Sequence, residues 1–397
     1  MKSSLQFLLF QLPFDWRPPA RFIVSVAVIG AITAGMTEGI FELMLRYPSH
    51  VPRSMLEVLK EYYYEEDQAF IQYLPDCSKY DDELTYTLRP GSCRFIGREF
   101  DTVVNANSLG VRDDENSLHS PQIIVLGDSI AMGWGVNDED TFAQRIEKGT
   151  GSTVLNLAVS SYGTVREFKI AQRVDITRLV TITVQYSSND FDENQKFFEL
   201  GNTLPISSEK HYETSQREHL KQVGYYVGKH TTWILKHTTW ILKHATWILK
   251  QLYYSTKRSI LKKLGLVSNS VPANGSYRSE EPFYFFSALK AGFENLVQKQ
   301  QLKPGSIVVL LVGLPWSADL SRQLLARLGK PEAVAAFLTV DLPQDQDSSY
   351  PLDLHLTAKG HAEMANRIIK VIRDRCYLNQ KADEDENMHC GSFITIL

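Results

Sequence analysis

The chain predicts an α/β fold: three layers, α/β/α, with a central parallel sheet of flavodoxin-like type and an apolar helix ahead of it. Three observations carry that prediction. Apolar runs rich in β-branched residues recur after residue 120, and each stops in a polar turn. Segments with helical spacing separate the runs. The turns hold serine, glycine, asparagine, aspartate and histidine, which in open parallel sheets gather at the carboxyl edge of the strands.

The elements follow in order. Residues 123–126 (Ile-Ile-Val-Leu) read as a strand buried on both faces, ending in Gly127-Asp128-Ser129. Residues 153–159 form a second run, ending in Ser160-Ser161-Tyr162-Gly163-Thr164, and a helix is predicted over 165–174. Residues 179–186 end in Ser187-Ser188-Asn189-Asp190, and 306–314 end in Pro315-Trp316 after a helix over 282–301. Asp353-Leu354-His355-Leu356-Thr357 opens a helix over 358–373 with apolar residues at Ala362, Ala365, Ile368, Ile369 and Ile372. Alternating strands and helices place all these turns at one edge of the sheet.

Gly127-Asp128-Ser129, Gly163, Asn189 and Asp353 with His355, in that order and each after a strand, resemble the four blocks of the SGNH/GDSL hydrolase superfamily. The resemblance covers residues 121–375. The segment Asn105-Ala-Asn-Ser-Leu-Gly-Val-Arg-Asp113 resembles the lead-in of its membrane-anchored bacterial members. It implies an acyl-serine mechanism. Ser129 is the nucleophile, and His355 is the base that a weakly nucleophilic hydroxyl needs. Asp353 orients the imidazole. The resemblance further implies an oxyanion hole made of the backbone N–H groups of Ser129 and Gly163 and the side-chain amide of Asn189. Ala131 stands where a Gly-x-Ser-x-Gly elbow needs its second glycine, which disfavours an α/β-hydrolase.

The chain departs from the family pattern twice. Ser187 occupies the position two before Asn189 where glycine is usual, and the acid and histidine are spaced Asp-x-His rather than Asp-x-x-His. A one-residue shift re-aims a carboxylate, so Asp353 is a less secure orienter than His355 is a base, with Asp347 as a distant alternative. The plain reading of Asp353 and His355 is a helix start with a charge favourable to its dipole. Asp190, Asp192 and Glu193 read as the charged first turn of a helix, and His361 as a surface or capping residue. No zinc signature and no phosphate-cradling glycine loop occur, so neither metal nor cofactor is expected.

The 397 residues carry a net charge of −4, which argues against nucleic acid as a partner. After a tail over 1–20, an anchor helix is predicted over 21–45. Its charge-free core, Phe22 to Thr37, is extended by Ile40-Phe41 and Leu43-Met44-Leu45 to the length a bilayer needs. A buried helix and a cleaved signal peptide are the alternatives. Lys and Arg are balanced across it, so orientation rests on four cysteines in two close pairs, Cys77 with Cys93 and Cys376 with Cys390. Such pairs suit disulfides in an oxidising compartment and place the catalytic domain outside, in a periplasm.

Residues 46–120 read as an accessory lead-in region, with strands over 84–88 and 100–104 and a turn at Arg89-Pro90-Gly91. The tail over 376–397 is acidic. An insertion over 195–280 contains a repeat: His230 to Lys236 recurs as His237–Lys243, and again as His244–Lys250 with one Thr-to-Ala change at Ala245. Between 229 and 264 there are eight Lys and Arg and no acid, proline or glycine. An amphipathic helix is predicted there, lying on anionic lipid through Trp233, Trp240 and Trp247, or packing on its own protein. Two functional classes follow. One is a membrane-anchored serine esterase or O-acyltransferase acting on an acylated small molecule or envelope glycan. The other is a non-catalytic envelope protein that binds a partner on the same fold.

Overall fold

The computed structural model describes residues 18–238, 277–300, 302–374 and 394–397. The chain forms two compact units, one of residues 1–59 with 225–267 and one of residues 60–224 with 268–397.

In the first unit, the helix Pro18–Arg46 contains a segment, Arg21–Arg46, long and apolar enough to cross a membrane. Residues 229–238, which include the first heptad of the repeat, are helical. An acid on an otherwise apolar helix needs donors, and this short helix supplies them. The N–H of Thr231, in its first turn, donates to Glu38 Oε1 at 2.6 Å, and His230 Nδ1 lies 2.8 Å from Glu38 Oε2. A helix N-terminus favours such a carboxylate. Trp233 is 1% exposed, its ring against Phe41 and stacked on His237. In the first heptad the tryptophan is therefore buried against protein. Trp240, Trp247 and the later heptads lie outside the described residues, as do Cys376 and Cys390.

The second unit opens with two antiparallel hairpins, β1 (Ser78–Asp81) with β2 (Thr85–Leu88) and β3 (Gly91–Ile96) with β4 (Asp101–Ala106). The strands predicted over 84–88 and 100–104 fall on β2 and β4, but each pairs with a partner that the sequence pattern did not show. Cys77 and Cys93 form a disulfide, Cα atoms 5.3 Å apart, tying the first hairpin to β3.

The main sheet holds β5 (Ile123–Leu126), β6 (Val154–Asn156), β7 (Thr181–Gln185), β8 (Ile307–Val312) and β9 (Val334–Val340), all parallel, in the order β6-β5-β7-β8-β9. This is the flavodoxin-like order. The direction of winding reverses at β5, and crevices at such switch points are where open sheets bind ligands. A sixth strand, β10 (Ile394–Ile396), joins the far edge antiparallel to β9, so the end of the acidic tail is part of the sheet.

Alternation along each strand builds two cores. Ile124, Leu126, Ile182, Val184, Val309 and Leu311 face one way, toward the helices Thr164–Ala171 and Glu281–Gln300. Ile123, Val125, Val308, Leu310 and Val312 face the other, toward Phe142–Thr150 and Ala358–Asp374. The three-layer α/β/α arrangement is therefore present. His361, read as a surface residue, is fully buried in the second core. Its Nδ1 accepts the Phe142 N–H at 3.2 Å, and burial, assisted by the charge of Arg112, lowers the imidazole to about 3.

Candidate active site

β5 ends at Leu126, and the chain must turn sharply into the short helix Ser129–Met132. Gly127 makes the turn at φ +151°, where a Cβ would stand 2.6 Å from that of Ala131. Asp128 caps the helix by accepting the Ile130 N–H at 3.1 Å, which leaves Ser129 as its first residue. Burial raises the Asp128 carboxyl despite that bond.

Ser129 and the pair Asp353 and His355, predicted from two separate turns, are brought together. His355 Nε2 lies 2.7 Å from Ser129 Oγ, and His355 Nδ1 is hydrogen-bonded to Asp353 Oδ1. The short Asp-x-His spacing works because Leu354, between them, adopts φ +66°. Burial alone would raise the Asp353 carboxyl. The hydrogen bond and charge of His355 and the Tyr63 hydroxyl outweigh it and hold the group below its usual range. Asp347 plays no part: its carboxylate is exposed and lies 3.8 Å from Lys359 Nζ.

A cleft of about 550 Å³ opens over Ser129 and His355. Asn189, which follows β7, lines it, as do Ser187 and Ser188. Where the family pattern has glycine, Ser187 uses its hydroxyl to accept from Gln185 Nε2 at 2.8 Å, and Gln185 Oε1 in turn accepts the Ala131 N–H. Asp190, Asp192 and Glu193 form the first turn of the helix Asp190–Glu199, as read from the sequence. Among the described residues no group of three or more His, Cys, Asp or Glu is placed to hold a metal ion.

Gly163 is the residue that moves. Its N–H donates to Glu193 Oε1 at 3.1 Å, and a Cβ on it would stand 2.9 Å from that same oxygen. Glu193 is held there by Arg166, 2.6 Å away. The missing side chain of Gly163 leaves room for this carboxylate, and Gly163 is not among the residues lining the cleft. Ser161 lines the cleft instead, two residues earlier, in the left-handed region at φ +60° with its hydroxyl accepting from Gln72 Nε2 at 3.0 Å. The sequence gives no sign of this, because a serine in that conformation looks like any turn serine.

Residues with no sequence signal complete the walls. Tyr64, Gln68 and Phe70 come from the lead-in, and the Phe70 N–H donates to His219 Nε2 at 2.9 Å. On the other side stand Tyr277 and Glu281, where the insertion returns. Glu281 accepts from the Tyr186 hydroxyl at 2.6 Å and from the Arg278 N–H at 2.7 Å.

No known family's sequence profile matches the chain, and no curated protein matches it. Solved structures do. The chain is similar to a family two carbohydrate esterase from Clostridium thermocellum in complex with cellohexaose, at 13% identity and a TM-score of 0.33, covering 65% of each chain. It is similar to an acetyl xylan esterase from Butyrivibrio proteoclasticus, at 10% identity and 0.33, over 65% of this chain and 64% of that one. A lipase from a goat rumen metagenome shares 15% identity at 0.28, over 65% of this chain and 98% of that one. The match thus spans just under two thirds of the first two proteins. Scores this low identify neither substrate nor activity.

Proposed function

We propose that the protein is a serine esterase or O-acyltransferase that works through an acyl group on Ser129. The observation that carries this reading is the unbroken line from Ser129 Oγ through His355 to the Asp353 carboxylate, opening on a cleft. Ser129 Oγ attacks the acyl carbonyl carbon while His355 Nε2 takes its proton. Asp353 stabilises the imidazolium that results. The tetrahedral oxyanion is held by the N–H groups of Ser129 and Ser161 and by the Asn189 amide, each such donor contributing about 3–4 kcal/mol. Collapse breaks the ester C–O bond, and His355 returns the proton to the leaving oxygen. Water or a sugar hydroxyl, deprotonated by His355, then attacks the acyl carbon, the bond to Ser129 Oγ breaks, and His355 returns the proton to Ser129; the same residues serve hydrolysis and transfer.

Tyr64, Phe70 and Tyr277, set among Gln68, Ser188 and Glu281, give the cleft aromatic surfaces with hydrogen-bonding groups beside them. Such a lining suits an acylated sugar, and an envelope glycan is the natural substrate class for a protein tethered by the apolar segment Arg21–Arg46. The Cys77–Cys93 disulfide supports a location on the oxidising side of that membrane. The test is release of nitrophenol from a short-chain nitrophenyl ester by the purified chain. Turnover that Ser129→Ala and His355→Ala each abolish is expected, and equal turnover by wild type and both variants rejects the assignment.

A further inference from the structure

We propose that Tyr63 is a positioning residue of the catalytic relay, making it Tyr63–Asp353–His355–Ser129, and that the lead-in is part of the active site. The inference rests on the acyl-serine reading and extends it.

Residues Tyr63–Asp67 form a π-turn, a rare geometry that recurs at functional sites. The wide turn lets two successive side chains reach one residue 290 positions away. The Tyr63 hydroxyl donates to Asp353 Oδ2, and the Tyr64 hydroxyl donates to the Asp353 carbonyl oxygen at 3.0 Å. A third lead-in residue completes the grip: Glu99 Oε2 accepts the N–H groups of Leu352 at 2.9 Å and Asp353 at 2.8 Å. Asp353 is thus held at carboxylate, carbonyl and amide by Tyr63, Tyr64 and Glu99, and its Oδ1 is left for His355. Tyr63 is 1% exposed, and burial together with the Asp353 charge pushes its phenol upward, so it stays a donor across the working range.

A donor on Oδ2 draws charge away from Oδ1. Tyr63 therefore sets both the aim of the carboxylate and how strongly it favours protonated His355. Removing the hydroxyl concentrates charge on the side facing the imidazole and makes protonation of the base easier. The acid limb of the rate profile must then move to higher pH.

The experiment is the pH profile of kcat/KM for full-length wild type and Tyr63→Phe, with thermal unfolding measured in parallel. A hydrogen bond to a charged group lost in this way lowers kcat/KM by about 10-fold or more. The acid limb is expected to rise by about half a pH unit or more, with folding retained. Tyr62→Phe removes a hydroxyl from the residue just before the turn, where it contacts Asp67, and should leave the limb in place. Replacing Tyr63 by 3-fluorotyrosine, a stronger donor of the same shape, should move the limb down, and keeps the test open if the phenylalanine variant fails to fold. A limb unmoved in both Tyr63 variants overturns the inference and leaves Tyr63 a packing residue. A wild type lacking Ser129-dependent turnover fails earlier and overturns the site reading together with the relay.

Discussion

The Trp134 indole lies flat against the His355 imidazole, ring centres 4.7 Å apart and planes 14° apart. His355 is held edgewise by Ser129 and Asp353, and the stacked indole fixes the remaining freedom, rotation about the line joining those partners. Trp134 is 1% exposed and is itself held edge-on by Phe95 at 4.7 Å.

Trp134→Phe keeps an aromatic face of smaller area and should lower kcat by several-fold while KM changes little. Trp134→Ala opens a cavity that costs about 3–5 kcal/mol of stability. Steady-state kinetics beside thermal unfolding separate the two effects. A phenylalanine variant with wild-type kcat would show that the stack does not position the base.

Leu354 carries the conformational cost of the short Asp-x-His spacing, at φ +66°. A β-branched residue tolerates that region poorly. Leu354→Val should destabilise the protein by about 1–3 kcal/mol and reduce turnover with it, whereas Leu354→Gly should be close to neutral in stability. Denaturant unfolding of the two variants decides. Equal stabilities would mean the loop relaxes without the left-handed residue.

The exchange of Gly163 for Ser161 predicts that two conservative changes both leave turnover in place, while only the first costs stability. Gly163→Ala drives a methyl into Glu193 and should cost about 1–3 kcal/mol, with kcat of the folded fraction largely kept. Ser161→Gly keeps the backbone N–H and the φ +60° turn, so turnover should persist. Loss of kcat without loss of stability in Gly163→Ala would return the oxyanion role to Gly163.

Glu99 predicts a pH dependence of stability. Burial raises its carboxyl to about 7, against bonds from the Asp353 and Leu352 N–H groups that lower it. The folded value lies above the unfolded one, so protonation favours the folded state. The contribution is full below about 4.5 and is lost as pH rises through about 7. Asp113, also buried and raised to about 7, adds a slope of the same sign. Unfolding free energies measured from pH 4.5 to 8 should decline over that window in wild type and decline less in Glu99→Gln. Identical slopes would remove Glu99 from the balance.

What the sequence revealed and concealed divides along physical lines. Ser129, Asn189 and His355 were legible because each follows a strand or opens a helix whose periodicity marks it, and the parallel sheet carries all three to one edge. Asp353 was legible as the orienter through the resemblance, but less securely than His355 as the base, because its aim depends on the backbone of Leu354 and on Tyr63, 290 residues away. Glycine misled at 163, since an absent Cβ signals close approach without saying of what; there the neighbour is Glu193. β10 escaped because three residues at a sheet edge carry no period of their own, and His361 because its helix buries more than the apolar stripe. Trp233 read nearly equally well as lipid-facing or protein-facing, and its burial beside the Glu38 contacts of Thr231 and His230 was not legible because it depends on a helix about 190 residues away.

The central claim is that Ser129 is a nucleophile activated by His355 and aimed by Asp353. The most direct measurement is labelling of the purified protein with a fluorophosphonate, followed by peptide mapping of the modified residue and labelling rates for the variants. The expected adduct is on Ser129 alone, absent in Ser129→Ala. Rates should fall by about 10³-fold or more in His355→Ala, and by a comparable factor in Asp353→Asn. An adduct on another serine, or labelling of Ser129 at the wild-type rate in His355→Ala, would contradict the account.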